Sequence, residues 1–426
     1  MFGRTPRKPA PTRVPKIPKN KLTANDNKVS VMVISSTRTG TRCHAGLCAG
    51  LSGAISFRLH DSESIFNSLR FVRAIRYALF LLLVYAARGL PGERLLANEE
   101  LIPVAVIGVG AFGRNHARIY HQLQQDGAAV RLVGVVDTDL SRADVIAREF
   151  RCRPFGSIDQ LLATHSEVRA ASVAVPTMHH LAAAKTLMQA GVDVLIEKPL
   201  APSLAEADEL IDAAKSAGVV AQVGHLERFN PAVQATMPLI TRPMFFEVHR
   251  LSVFTPRSLD VDVVLDLMIH DLDAVLAFVN SPLKEIRAAG LPILSNKVDI
   301  ANARIEFESG CIANFTASRV STERVRKLRF FQPRQYISID YGRQDVLVFT
   351  VGGNEGSPSA NPEIKVSKPP ITAEEPLKAE IRAFLDSVRC RKAPLVPLED
   401  GQRALSVALE VLSQIEEHAR KLNLGG

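Results

Sequence analysis

The feature that most constrains this fold is an apolar run followed by closely spaced glycines and then by a helical pattern. Residues 104–107 read Val-Ala-Val-Ile, and the glycines that follow are Gly108, Gly110 and Gly113. Side chains at helical spacing come next, at Phe112, His116, Ile119 and Leu123. In a strand–turn–helix unit, the first glycine permits the tight turn, the second lets the main chain approach a pyrophosphate, and the third lets helix and strand pack closely. The pattern therefore predicts a dinucleotide-binding turn whose phosphates face the helix N-terminus.

The segment from 101 to 224 alternates between buried-strand and helix patterns. Strands are predicted at 104–107, 130–136, 171–175, 192–196 and 219–223. Ser141 is expected to cap a helix that ends at Phe150, and Ser203 with Glu206 forms a capping box for a helix that stops at Gly218. Strands that alternate with helices indicate a parallel sheet covered on both faces, so we expect residues 101–224 to form a Rossmann domain.

A different pattern begins after Gly224. A strand at 245–254 and a helix at 263–279 precede a hairpin at 301–316, which turns at Ser309-Gly310. Strands at 328–331, 336–340 and 345–351, a Gly/Ser/Pro loop at 354–370, and helices at about 374–390 and 400–421 complete the chain. The predicted fold class is α/β, and residues 225–426 are expected to form a second α/β domain with a mainly antiparallel sheet.

Positive charge is concentrated in the first 100 residues. They hold 16 Lys/Arg and 6 Asp/Glu, whereas residues 101–426 hold 36 and 38. The remainder is thus slightly acidic, which argues against a nucleic-acid partner. The first 28 residues hold 8 Lys/Arg and 5 Pro, a composition that predicts disorder. Residues 1–100 are either a poorly ordered basic extension or the product of a start site placed too far upstream.

No transmembrane segment or disulfide framework is predicted. The uncharged apolar stretch at 77–87 has 11 residues, whereas a bilayer-spanning helix needs about 20. It would suit a membrane-surface helix or a poorly ordered segment. The five cysteines include no Cys-x-x-Cys pair, which fits a reducing cytoplasm, and no metal site is predicted.

Asp137 ends the second predicted strand, 24 residues after Gly113. An acid at this position accepts hydrogen bonds from the adenosine ribose hydroxyls, and its carboxylate would repel a 2′-phosphate. We therefore expect NAD as the cofactor in preference to NADP.

Three residues are candidate catalytic groups. Lys198 lies in Glu197-Lys198-Pro199 after a predicted strand, at the sheet edge where ligands bind, and a lysine there can donate to a substrate hydroxyl or alkoxide. Asp266 and His270 stand four apart in an apolar helix and therefore share a face. They form either a core-stabilising pair or a catalytic pair, in which Asp266 sets the imidazole tautomer and His270 acts as general base.

These motifs, in this order, resemble the glucose–fructose oxidoreductase/inositol dehydrogenase (Gfo/Idh/MocA) family over about residues 102–420. The resemblance implies a Rossmann domain, a C-terminal domain with an open sheet often used for oligomerisation, and a nicotinamide-dependent sugar or polyol dehydrogenase. Lys198, Asp266 and His270 match the family's catalytic positions. Cofactor contacts are expected at Gly108, Gly110, Ala111, Phe112, Gly113, Asp137, Pro176, Thr177, His180, Glu197 and Lys198. A homo-dimer or homo-tetramer through the C-terminal sheet is expected.

A narrower resemblance rests on residues 222–231, which read Gln-Val-Gly-His-Leu-Glu-Arg-Phe-Asn-Pro, and on residues 255–257 and 263–271. These segments are similar to the branch that oxidises UDP-N-acetylglucosamine, or its uronic acid, at C3. Many family members have Gly-Gly where this chain has Val261-Asp262, and Asn where it has Thr177. Both departures suit a nucleotide-sugar substrate. Arginines near the catalytic helix could hold its diphosphate, so substrate contacts are expected at Arg228, Asn230, Arg250 and Arg257.

The resulting hypothesis is NAD-dependent oxidation of the C3 hydroxyl of UDP-N-acetylglucosamine, with the 3-keto product feeding 3-amino-sugar synthesis for lipid A. The alternatives are a dehydrogenase for inositol, a free hexose or a UDP-uronic acid, and an NAD-binding regulator without turnover. The presence of lysine, aspartate and histidine at the catalytic positions argues against the regulator.

Overall fold

The computed structural model describes residues 100–255, 261–352 and 363–421, so the predictions for residues 1–99 lie outside the described residues.

The first of two sheets is parallel and has six strands in the order β3-β2-β1-β4-β5-β6. The order reverses between β1 and β4, which opens a crevice beyond the carboxyl ends of the strands. The strands are β1 (Ile102–Ile107), β2 (Val130–Val136), β3 (Arg153–Phe155), β4 (Ala170–Val173), β5 (Asp193–Glu197) and β6 (Ala221–Gly224).

Helices cover both faces of this sheet, as the alternating pattern predicts. The expected cap at Ser141 is wrong: Asp139 is extended, and its carboxylate accepts a hydrogen bond from the Arg142 amide, so that helix begins two residues earlier. Ser203 and Gly218 cap their helix as predicted. β3 and α3 were not predicted, because elements this short show little periodicity. The helices are α1 (Ala111–Gln125), α2 (Leu140–Phe150), α3 (Ile158–Thr164), α4 (His180–Gln189) and α5 (Leu204–Ala217).

The second sheet has eight strands in the order β14-β13-β12-β11-β7-β10-β9-β8. All neighbours are antiparallel except β7 and β10. The hairpin at Ser309-Gly310 forms as predicted, whereas β8 was not predicted and β14 lies within the segment predicted as a loop. The strands are β7 (Phe245–Val253), β8 (Leu283–Leu291), β9 (Ile300–Phe307), β10 (Ile312–Ser321), β11 (Val325–Gln332), β12 (Gln335–Asp340), β13 (Asp345–Val351) and β14 (Ile364–Ser367).

Four helices complete the described residues: α6 (Pro231–Thr236), α7 (Ile269–Phe278), α8 (Pro376–Cys390) and α9 (Leu398–Lys421). α9 contributes Leu405 to the core under the first sheet and Val411 to the core under the second, and it therefore links the two. The α8 residue Phe384 also packs in a core of the first sheet. Since these helices pack on both sheets, the division of the chain at residue 225 stays a prediction. No helix in the described ranges has the length and apolar character needed to cross a bilayer.

Candidate active site

The glycine turn has three distinct local environments that match the three predicted roles. Gly108 has a positive φ of 82°, and a Cβ there would lie 2.8 Å from the carbonyl oxygen of Ala174. A Cβ on Gly113 would lie only 1.8 Å from the Gly108 carbonyl oxygen. Around Gly110, in contrast, no protein atom lies within 4 Å of the Cβ position. The fold thus needs the outer two glycines for packing and leaves the main chain at the middle one open to a ligand.

The N-terminus of α1 is ready to receive an anion. Gly110 is its N-cap residue, no side chain caps it, and its first turn has no acidic residue. Helix N-termini of this kind bind phosphates through their unpaired amides. The turn therefore fits the pyrophosphate of a dinucleotide.

Asp137 follows β2 at the same sheet edge and is buried, with 6% of its surface exposed. Its carboxylate accepts hydrogen bonds from the Val109 amide, at 3.0 Å, and from the Asp139 amide, at 2.9 Å. The half-exposed Arg142 guanidinium lies 3.3 Å from both carboxylate oxygens. Asp137 is therefore fixed beside the glycine turn, where the adenosine ribose binds in folds of this type.

The other predicted cofactor residues divide into exposed and buried groups. Ala111, Phe112 and Pro176 are exposed at the crevice edge, and Thr177 is half-buried. His180 is buried, and its ring nitrogens lie within hydrogen-bond distance of the Val175 and Leu200 carbonyl oxygens. His180 thus joins the loop after β4 to the chain that follows β5. The buried Glu197 accepts a hydrogen bond from His116 at 2.8 Å.

Lys198 follows β5 and precedes a cis peptide bond to Pro199. Its side chain is only 9% exposed, and its ammonium group donates to the main-chain carbonyl oxygen of Asp266 at 2.7 Å. The Asp266 carboxylate lies 3.5 Å from the same ammonium nitrogen. Burial lowers the pKa of Lys198 below its usual 10.5, and the carboxylates of Asp266 and Glu197 oppose that shift.

The predicted helix at 263–279 begins with a π-helical turn, Val264–Met268, before α7. The wider turn alters the angle between Asp266 and His270, and no hydrogen bond joins them in the part of the chain that the structure describes. The expected aspartate–histidine pair is therefore replaced by an aspartate–lysine pair. π-Helical turns occur often at functional sites.

His270 is 8% exposed, and its Nδ1 has no hydrogen-bond partner among the described residues. Burial holds the pKa of His270 well below 6.5, and the positive charges of Lys198 and Arg250 lower it further. The imidazole is therefore neutral at pH 7. A neutral imidazole next to a lysine can accept a proton from a hydroxyl while the lysine stabilises the charge that develops on oxygen.

His225 is a site residue that sequence reasoning did not single out. It follows β6 at the carboxyl edge of the sheet, and its ring meets that of His270 edge-to-face, with 6.4 Å between centroids. The available signal was its position, directly after a predicted parallel strand.

The predicted substrate arginines are held in internal ion pairs. Arg250 is 3% exposed, donates to Asp271 at 2.6 and 2.9 Å, and donates to Glu227 at 3.1 Å. Arg228 is 7% exposed and lies 3.3 Å from the carboxylates of Asp273 and Asp400. Each guanidinium group thus balances at least one buried carboxylate, and substrate contact by either arginine stays a prediction.

The remaining two predicted substrate residues have different outcomes. Asn230 is buried, donates to the Glu227 carboxylate and the Tyr341 carbonyl oxygen, and caps α6 through the Ala232 amide. It therefore belongs to the same internal network. Arg257 lies outside the described residues.

Comparison with known proteins agrees with this geometry. The model of an oxidoreductase family with an NAD-binding Rossmann fold, GFO/IDH/MocA, matches residues 102–225, and the model of the family's C-terminal domain matches residues 242–338. The chain belongs to the GFO/IDH/MocA family. It is thus an NAD(P)-dependent oxidoreductase that acts on CH–OH groups, as the sequence predicted.

Relatives of this GFO/IDH/MocA protein include sugar and polyol dehydrogenases. The UDP-N-acetylglucosamine 3-dehydrogenase of Acidithiobacillus ferrooxidans is 38% identical over 312 residues, which cover 73% of this chain and 96% of that protein. A solved structure of it matches with a TM-score of 0.68 at 36% identity, over 74% of this chain and 98% of that one. The scyllo-inositol 2-dehydrogenase (NAD(+)) of Bacillus subtilis is 27% identical over 52% of this chain and 69% of that protein.

Proposed function

We propose that the protein oxidises the C3 hydroxyl of UDP-N-acetylglucosamine, with NAD as hydride acceptor, to give the 3-keto sugar and NADH. The observation that carries the substrate is the 38% identity to a UDP-N-acetylglucosamine 3-dehydrogenase across 96% of that protein's length. The chemistry is supported independently by the neutral, buried His270 beside the ammonium group of Lys198.

The described residues support a division of labour in the reaction. His270 accepts the proton of the C3 hydroxyl at a ring nitrogen, because burial and neighbouring positive charge keep its imidazole unprotonated. Lys198 donates to the same oxygen and stabilises its developing negative charge. Asp266 is a positioning residue, because its carbonyl oxygen and carboxylate hold the Lys198 ammonium group in place.

The cofactor would be held by the glycine turn, the N-terminus of α1 and Asp137. The nicotinamide, when bound, supplies the hydride acceptor. The open space at Gly110 fits a pyrophosphate, and the buried Asp137 favours a free ribose hydroxyl over a 2′-phosphate. The Arg142 guanidinium, next to Asp137, would attract such a phosphate, so NAD and NADP should be compared directly.

The test is a substrate panel that follows NADH formation and identifies the product by NMR. UDP-N-acetylglucosamine is expected to be the preferred substrate over inositol, free hexoses and UDP-uronic acids, and the product should be a ketone at C3. His270→Ala is expected to lower kcat by about 10²- to 10⁴-fold while the fold stays intact. Turnover of the variant within a few-fold of the parent would refute the assigned base.

We also propose that the open face of the second sheet forms a homo-oligomer interface. Aromatic rings from β7, β11, β12 and β13 form a row there, in which Phe331 is exposed and the other three are half-buried: Phe245, Phe331, Tyr336 and Phe349. Apolar rows on a sheet face favour association. Light scattering should show a dimer or tetramer that Phe331→Glu weakens, and a monomeric parent would contradict the proposal.

A further inference from the structure

The pairing of β5 with β6 places His225 beside Lys198. Glu197 and Gly224 are partners in the parallel register, and each is the last residue of its strand. The residues that follow are Lys198 and His225, so both leave the sheet at neighbouring positions on its carboxyl edge. His225 therefore lies at the edge where ligands bind in sheets of this type.

His225 also adjoins the proposed base. Its ring stands perpendicular to that of His270, at an interplanar angle of 90°, with the centroids 6.4 Å apart. At this distance one small polar group of a substrate can contact both rings. The two histidines and Lys198 thus bound one side of a common site.

The contrast with other histidines shows that the hydrogen-bonding state of His225 is unusual for this chain. Four histidines are buried among the described residues. Both ring nitrogens of His116 face polar partners, and both ring nitrogens of His180 face main-chain carbonyl oxygens. His225 is 1% exposed, yet neither of its ring nitrogens has a partner among residues 100–255, 261–352 and 363–421. Buried polar groups are nearly always paired, so His225 is expected to find its partner in a bound molecule.

The protonation state of His225 defines what it can bind. Burial and the positive charges of Lys198 and Arg228 lower its pKa to about 3, against the opposing charges of Glu197 and Asp400. The ring is therefore neutral and carries one N–H donor and one nitrogen acceptor. This inventory matches a hydroxyl group or an amide, each of which can donate and accept, and does not suit a phosphate.

We propose that His225 binds the substrate through the polar substituent next to the hydroxyl that His270 deprotonates. This inference rests on the proposed function and deepens it. In an N-acetylglucosamine unit oxidised at C3, the neighbouring substituents are the acetamido group at C2 and the hydroxyl at C4. His225 is thus a specificity-determining residue that forms a hydrogen bond with one of these two substituents.

The experiment combines His225→Phe with sugars altered at one neighbouring position. His225→Phe keeps an aromatic ring for the edge-to-face contact and removes both nitrogens. UDP-glucose changes the C2 substituent, and UDP-N-acetylgalactosamine inverts C4. We expect kcat/KM for UDP-N-acetylglucosamine to fall roughly 10- to 100-fold, because a buried hydrogen-bond partner is lost. The parent's preference over one of the two analogues should largely disappear in the variant.

Matched variants separate binding from folding. His225→Gln should recover part of the loss, because its amide also donates and accepts. His121→Phe makes the same change on α1, where the ring contacts Phe150, and should leave kcat/KM unchanged. Thermal unfolding reports whether each variant is folded. If His225→Phe fails to fold, His225→Gln carries the comparison, and an altered preference for one analogue is then the expected result.

Two results with the variant would overturn the inference while leaving the proposed function standing. An equal loss on all three sugars would mean that His225 acts only through the packing of His270. A loss below 2-fold on UDP-N-acetylglucosamine would mean that His225 makes no productive contact. If the parent does not oxidise UDP-N-acetylglucosamine at all, the proposed function fails and this inference fails with it. If the parent oxidises UDP-N-acetylglucosamine and His225→Phe has no effect on kcat/KM, the proposed function stands and only the role of His225 is rejected.

Discussion

Alanine at Gly110 and at Gly113 should separate cofactor binding from folding. Both glycines belong to one turn, and each substitution adds a single methyl group. The surroundings of the two positions differ, since the Cβ at Gly113 would lie 1.8 Å from the Gly108 carbonyl oxygen and the Cβ at Gly110 has no protein atom within 4 Å. The same chemical change therefore probes packing at one position and ligand approach at the other.

The size of each effect follows from that geometry. Gly113→Ala forces the turn and α1 apart by about 1 Å, and overpacking of this kind costs about 1–3 kcal/mol. This cost should lower Tm by roughly 2 to 10 °C. Gly110 has a φ of −62°, which alanine adopts readily, so Gly110→Ala should change the free energy of unfolding by less than about 0.5 kcal/mol. Its methyl group should weaken NAD binding roughly 10-fold or more, equivalent to about 1.4 kcal/mol.

The assay pairs thermal unfolding without cofactor with calorimetric titration of NAD. The expected result is a lower Tm for Gly113→Ala with little change in Tm for Gly110→Ala, and weak NAD binding for Gly110→Ala. Equal destabilisation by both substitutions would show that the Cβ position of Gly110 is as crowded as that of Gly113. Unchanged NAD affinity in Gly110→Ala would show that the pyrophosphate binds elsewhere.

Three further predictions concern protonation, buried charge and cofactor choice. Activity requires neutral His270 and charged Lys198. As pH increases, kcat/KM should therefore rise through the lowered pKa of His270, well below 6.5, and then fall through the lowered pKa of Lys198, which lies below 10.5. A loss of activity towards acid pH that is centred on the ordinary histidine pKa would contradict this. Arg250→Met leaves two buried carboxylates unbalanced and should destabilise the protein by about 3–5 kcal/mol in denaturant titrations, whereas a substrate-binding arginine would raise KM without that loss. Asp137→Ser removes the charge that repels a 2′-phosphate while Arg142 remains, so the ratio of kcat/KM for NADP to that for NAD should rise roughly 10-fold or more, and an unchanged ratio would reject Asp137 as the discriminator.

Local sequence determined the elements of the first sheet and the turn between β1 and α1. These are features in which short-range physics dominates: glycines permit a backbone that other residues resist, apolar runs mark buried parallel strands, and the Ser203 cap marks the start of its helix. The same local information placed Lys198 at a strand end and His270 in a helix. It did not reveal β3, α3 or β14, whose brevity hides their period.

Only the tertiary structure decided which side chains meet. Asp266 contacts Lys198 and lies in a π-helical turn, and residue spacing in an assumed α-helix shows neither feature. Arg250 was predicted to contact the substrate, whereas in the structure it donates to Asp271 and Glu227, which come from other elements of the fold. His225 gained significance because neighbouring strands end in register and bring it beside Lys198. Sequence thus determined the conformations that depend on adjacent residues, and the structure decided the pairings between residues far apart in the chain, because those depend on how whole elements pack.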